Sequence, residues 1–293
     1  MSGRAAFRLL EANKAAAPST PLLLDSATPF AAFSVRKLRT AYGGSALRVQ
    51  RASDSTEQDI GFTSGGDLDT TALGTFCSGT TGYVSKWYDQ SGNGRDLAQT
   101  TQARMWRIYA SGAVDTKNSK PSLLATDDTR GMLTAAFTAS TSNIANAAAV
   151  ASHPSLSATT SPRLVSAVGA SNIDSTVADG IALIMRNGNT SPTQQWRLLR
   201  QSSNLLQTAV YDQLQQVYSF TSNGSAVLAV DGAQVSGTVP GGTITATNLL
   251  LSMLGTAGYA SVNGLRVSEV LFSFAALDQA TIRSSQKAYF ATA

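Results

Sequence analysis

Beyond about residue 120 the chain is written in short apolar runs separated by turn residues. Arg163–Val168, Gly180–Arg186, Gln195–Leu199, Leu205–Val210 and Val217–Phe220 are each a strand's length, and Ala226–Val230, Asn248–Ser252 and Glu269–Phe274 continue the series. Between them fall Arg186-Asn187-Gly188-Asn189, Ser222-Asn223-Gly224-Ser225 and Asp231-Gly232, whose Asn-Gly and Asp-Gly steps tolerate the positive φ of tight hairpins. Many short strands joined in this way predict a mainly all-β antiparallel sandwich with a few short helices. No regular period recurs, which argues against a solenoid or a propeller.

The first 120 residues are more mixed. Phe33, Val35, Leu38 and Tyr42 are spaced for a short helix across 33–42. Leu47 and Val49 alternate with Arg48 and Gln50 as in a strand. Asp69 is placed to cap a helix reaching Phe76, and Asp278 to cap a closing helix running through Ile282 to Tyr289. Tyr83–Tyr88 reads as a strand entering the turn Asp89–Asp96. Residues 1–30 read as an extended arm broken by Pro18, Pro21 and Pro29, ahead of one domain over 31–293. Within that domain, 31–119 carries the motifs and 120–293 the strands. The arm's Phe7, Leu9, Leu10, Leu22, Leu23 and Leu24 need covering, by their own domain or by a neighbouring subunit, and are the candidate anchoring residues.

Charged residues make up 14% of the chain against the usual quarter or so, with small polar residues in their place, and the net charge is +4. Arg36, Lys37 and Arg39 form the one dense basic cluster; no basic stripe interleaves with aromatics, so no direct nucleic-acid partner is expected. One cysteine, Cys77, and one histidine, His153, leave no Ser–His–Asp triad, no Cys–His pair and no zinc cluster, so no catalytic residue, metal ligand or cofactor is assigned. The N-terminus lacks the apolar run of a secretory signal and no segment is long and apolar enough for a membrane helix; synthesis in a cytoplasm and no membrane partner are expected.

Trp87-Tyr88-Asp89-Gln90-Ser91-Gly92-Asn93-Gly94-Arg95-Asp96 follows Ala41–Val49 and Glu57-Gln58-Asp59-Ile60-Gly61-Phe62 in fixed order. Together these motifs resemble the N-terminal part of the α-L-arabinofuranosidase B catalytic-domain family, which carries a close variant of "YDQSGNGN". The resemblance implies a glycoside hydrolase whose nucleophile is a Glu in an "HMEA"-like strand motif, for which this chain has no match. Its Glu residues are Glu11, Glu57 and Glu269, and Asp174, Asp179 and Asp212 are the carboxylates that stand in the corresponding half. The resemblance also implies a disulfide with Cys77 as its first half and the second at Gly82, so that bridge is not expected here. Ala226–Gly232 followed by Gly264–Phe272 resembles the last strands of concanavalin/laminin-G-like jelly rolls, which implies a concanavalin-like jelly roll.

The Asp89–Asp96 block has two readings. One is a tight turn in which Asp and Asn side chains bond their own backbone. The other is a glycan- or ion-binding loop formed by Asp89, Gln90, Asn93 and Asp96 beside Trp87; Trp87, Trp106 and Trp196 are either sugar-stacking platforms or core. Arabinofuranosidase-type motifs ahead of a jelly roll, without the dyad, resemble virion proteins of tailed bacteriophages. That resemblance implies a non-enzymatic head-decoration or tail-associated subunit, located in the virion. Its partners would be other virion proteins, symmetry copies of itself and bacterial surface glycans. The alternatives are an arabinofuranosidase-like hydrolase with a rearranged dyad, or a lectin for host-surface polysaccharide.

Overall fold

Arg266–Ser273 is the spine of one of two β-layers, and all but its first residue are buried because strands flank it on both edges. Ala145–Ser152 pairs along one edge (Ala148↔Leu271). Ala31–Ser34 (Ala32↔Leu271) and Leu123–Leu124 share the other. The layer continues antiparallel from Ala145–Ser152 through Gln215–Ser222, Ser225–Val230 and Ala233–Gly237. The computed structural model describes residues 21–141, 145–152, 163–168, 181–187, 194–200, 203–209, 215–222, 224–238, 243–253 and 263–292.

The second layer runs Leu97–Ala98, Met132–Thr134, Asn248–Leu251, Arg163–Val168, Ile181–Asn187, Gln194–Arg200 and Ser203–Ala209, again antiparallel. Gly82–Trp87 joins the layers: it pairs with Leu97–Ala98 and with Trp106–Ala110, which in turn reaches Leu123–Leu124. Leu47–Arg51 and Glu57–Ile60 extend that end. The fold is an antiparallel β-sandwich with two helices, Thr70–Phe76 and Gln279–Phe290, among the described residues.

A single core cluster draws Ala147, Ala149, Val217, Leu228, Val270 and Phe272 from the first layer and Val165, Ala167, Leu183, Leu249 and Leu251 from the second. Ala147 and Phe272 face Val165 and Leu183 across a void of only about 10 Å³, too small to loosen the packing. Each buried Leu or Phe there contributes about 1.5–3 kcal/mol. A second cluster lies on the outer face of the first layer, where Leu23, Leu24, Leu38 and Ile282 cover Ala32, Ala148, Ala229 and Leu271.

The strands expected from apolar runs form within three residues of their sequence bounds. Asp69 and Asp278 cap the two helices, accepting from Ala72 N and from Ala280 N and Thr281 N. The Asp231-Gly232 hairpin has φ of +45° and +94°, as a two-residue turn of this kind requires. The helix expected over 33–42 does not form. Ala31–Ser34 is a strand buried on both faces, Phe33 towards the sandwich core and Ala32 towards the outer cluster, so it lacks the period-two pattern that marks a strand. Of the two coverings expected for Leu23 and Leu24, their own domain or a neighbouring subunit, the first is seen: both lie in the outer cluster, with Leu24 N donating to Leu38 O. Leu22 is half-buried; Phe7, Leu9 and Leu10 lie outside the described residues.

Candidate functional site

One side of Ala31–Ser34 pairs with the spine strand; its other side, and the run to Leu38, meets the Asp89–Asp96 turn instead of another strand. Asp89 Oδ1 accepts from Ala32 N at 2.9 Å, and Gln90 N donates to Ala32 O at 2.7 Å. Gln90, fully buried, donates through Nε2 to Ser34 O and Arg36 O and accepts from Leu38 N. The second oxygen of Asp89 takes Ser91 Oγ and Arg95 N. Asn93 Nδ2 donates to Pro29 O and Phe30 O. Asp96 accepts from Asp89 N and pairs with Lys86 at 3.5 Å. Gly92 and Gly94 hold φ of +93° and +67°.

The side chains singled out in the sequence are therefore brought together, but they point at backbone. Trp87 and Trp106 are fully buried and present no face to solvent. Trp87 packs on Phe33 with ring centroids 5.9 Å apart. The side chain of Trp196, and His153, Asp174, Asp179 and Asp212, lie outside the described residues. Among the described residues no three His, Cys, Asp or Glu side chains converge as a metal site would require.

The described carboxylates are held by structural partners. Asp59 binds Arg48 and Tyr88, and the Arg48 hydrogen bond holds its carboxyl below the usual range. Asp115 binds Arg107 and lies 3.9 Å from Arg266. Asp127 binds Arg130 and Thr129, and Asp25 binds Leu22 N and Thr40. Glu269 is completely buried, accepting from Arg36 Nε (2.8 Å) and Nη2 (3.2 Å), Ser34 Oγ and Gln286 Nε2. A carboxylate inside the apolar run Val267–Phe272 is the sequence signal for such a buried pair.

Above that pair lies an open cleft of about 470 Å³ lined by Leu22, Arg36, Lys37, Thr40, the turn Thr63–Gly66 and Tyr289. The turn closes through Gly66 N to Thr63 O, with Gly66 at φ +86°. Tyr289 donates its hydroxyl to Asp67, and burial, then this bond, pushes its ionisation far up. Lys120 Nζ lies 3.9 Å and Arg36 Cζ 5.0 Å from the Tyr289 ring centre.

Residues 23–161 match the family described as α-L-arabinofuranosidase B, catalytic. The α-L-arabinofuranosidase B of Emericella nidulans is 45% identical over 67 residues, which are 22% of this chain and 13% of that protein. The Aspergillus niger protein of the same name is 42% identical over a stretch of equal length. Among solved structures, a GH54 α-L-arabinofuranosidase variant soaked with 4-nitrophenyl α-L-arabinofuranoside superposes with a TM-score of 0.71. It is 19% identical, over 88% of this chain and 62% of that one. An arabinofuranosidase complexed with arabinofuranosyl-α-1,2-xylobiose gives 0.67, also at 19% identity, over 90% and 63%. The fold is that of these arabinofuranosidases. The chain spans about an eighth of the curated relatives' length and about six-tenths of the two solved structures.

These findings overturn the expectation of a non-enzymatic phage subunit. The similarity runs to glycoside hydrolases, not to virion proteins, so the virion location, the virion partners and the reading as no enzyme are withdrawn. The expectation rested on the missing "HMEA"-like motif, whereas residues 23–161 match the catalytic family itself.

Proposed function

We propose that this chain is an arabinofuranosidase-type glycoside hydrolase that releases α-L-arabinofuranosyl groups from saccharides. The observation that carries the reading is the match of 23–161 to the arabinofuranosidase B catalytic family, supported by 45% identity over 67 residues to one of its proteins. Glycosidic hydrolysis requires two carboxyl groups flanking the scissile bond, one to protonate the leaving oxygen and one as nucleophile or base. The carboxylates described above are tied to Arg, Lys or backbone amides, and Glu269 has no exposed surface. The proposal therefore places the pair among Asp174, Asp179 and Asp212, which fall between Val168 and Ile181 and between Ala209 and Gln215 in the sequence. In this reading the Asp89–Asp96 turn serves as a staple that fixes the first strand, and the sandwich is the rigid frame on which the site is mounted.

The test is release of 4-nitrophenol from 4-nitrophenyl α-L-arabinofuranoside, against a mock-purified control and with Asp174→Asn, Asp179→Asn and Asp212→Asn. Turnover that falls at least a hundredfold in two of the variants is expected. No turnover above the control, or turnover indifferent to all three, refutes the proposal.

A further inference from the structure

The described residues that line the cleft beside Tyr289 include two cations, Arg36 and Lys37, and no carboxylate. Lys37 lines it and has no carboxylate at ion-pair distance among the described residues. Arg36 forms part of its wall; its guanidinium is held by Glu269 and by Ser285 O and Oγ, with 11% of the side chain left exposed. Lys120 stands over Tyr289, with Asp67 3.8 Å from its ammonium. The exposed residues Thr63 and Ser64 add hydroxyls, Thr40 adds a hydroxyl oxygen whose proton is donated to Asp25, and the exposed backbone of Gly65 completes the rim.

Three features narrow the ligand. A volume of about 470 Å³ admits one or two sugar rings. The Tyr289 ring already has two cations over it and the Phe290 ring edge-on at 4.7 Å, so it is not an open platform for the apolar face of a neutral sugar. An unpaired ammonium beside a fixed guanidinium edge and hydroxyls favours an anionic, oxygen-rich group.

We propose that this cleft is an accessory subsite for a carboxylated sugar, a uronate unit of the saccharide. The carboxylate sits at Lys37 Nζ and the ring hydroxyls meet Thr40, Thr63 and Ser64. The assignment of a sugar rather than a free anion rests on the glycoside-hydrolase reading above; the cationic character of the cleft does not.

The experiment is NMR or calorimetric titration of the full chain with D-glucuronate, D-glucose and inorganic phosphate, repeated on Lys37→Ala. Lys37 is a partly exposed side chain, so the variant is expected to fold; its circular dichroism and melting curve check this. The expected result is millimolar glucuronate binding that weakens five- to tenfold in Lys37→Ala and falls on raising NaCl from about 0.05 to 0.5 M, with glucose at least tenfold weaker. Equal binding of glucose and glucuronate, or no effect of Lys37→Ala, overturns the proposal. Phosphate binding tighter than glucuronate overturns the sugar assignment. Arabinofuranoside turnover, measured on the unmodified chain, reports separately on the hydrolase reading, so either can fail alone.

Discussion

Replacing Gln90 with leucine keeps nearly the same volume and removes every polar contact its side chain makes. Leu38 N–H then loses its acceptor at 2.8 Å, and the carbonyls of Ser34 and Arg36 lose donors at 3.1 and 3.0 Å. All three lie around a fully buried side chain, where a stranded polar group costs about 1–3 kcal/mol. The amide bears the full penalty and the carbonyls, with two lone pairs each, less, which sums to roughly 3–5 kcal/mol. That is a large part of a domain's usual stability of about 5–15 kcal/mol. Urea denaturation of Gln90→Leu beside the wild type, with a slope near 3 kcal/mol/M, should show the midpoint lower by about 1–1.7 M. Gln90→Glu sharpens the test. Its second oxygen faces two carbonyls, which favours the protonated acid and raises the folded-state pKa above about 4.3. Stability should therefore be recovered as pH falls through that raised value and lost again as pH rises through it. A midpoint shift under 0.2 M for Gln90→Leu would refute the edge-staple account.

Three further outcomes follow from the geometry. A Cβ at Gly82 would stand 2.5 Å from Cys77 Sγ, so Gly82→Cys is expected to close a disulfide to Cys77 on mild oxidation. Its short loop limits the gain to roughly 2 kcal/mol; two thiols still reactive after oxidation and denaturation would exclude the bridge. The buried wild-type Cys77, its thiol pushed up to about 11 by burial, should not react with Ellman's reagent at pH 8 in the native state. Burial pushes Tyr42 and Tyr88 each up to about 12, with Asp96 next for Tyr42 and the Asp59 hydrogen bond next for Tyr88. Ultraviolet titration should find both unionised at pH 11, and their contribution to stability should be complete below about pH 10 and lost as pH rises through 12. Ionisation of both near 10 in the folded protein would contradict their placement.

The sequence by itself determined what depends on local chemistry. Short apolar runs and Asn-Gly or Asp-Gly steps placed the strands beyond residue 120, and Asp69 and Asp278 placed two helix starts, because capping and turn preferences act within three or four residues. The motif from Trp87 to Asp96 was legible as a turn, but not its target: the backbone it satisfies lies more than fifty residues earlier. Only the tertiary structure decided that Ala31–Ser34 is a strand, since burial on both faces erases the alternation that would reveal it. Only it decided that Leu23 and Leu24 close their own domain and that Glu269 pairs with Arg36, contacts made across more than two hundred residues. The cleft of Lys37 and Tyr289 was hidden for the same reason, because its walls come from opposite ends of the chain and meet only when the closing helix docks on the sheet.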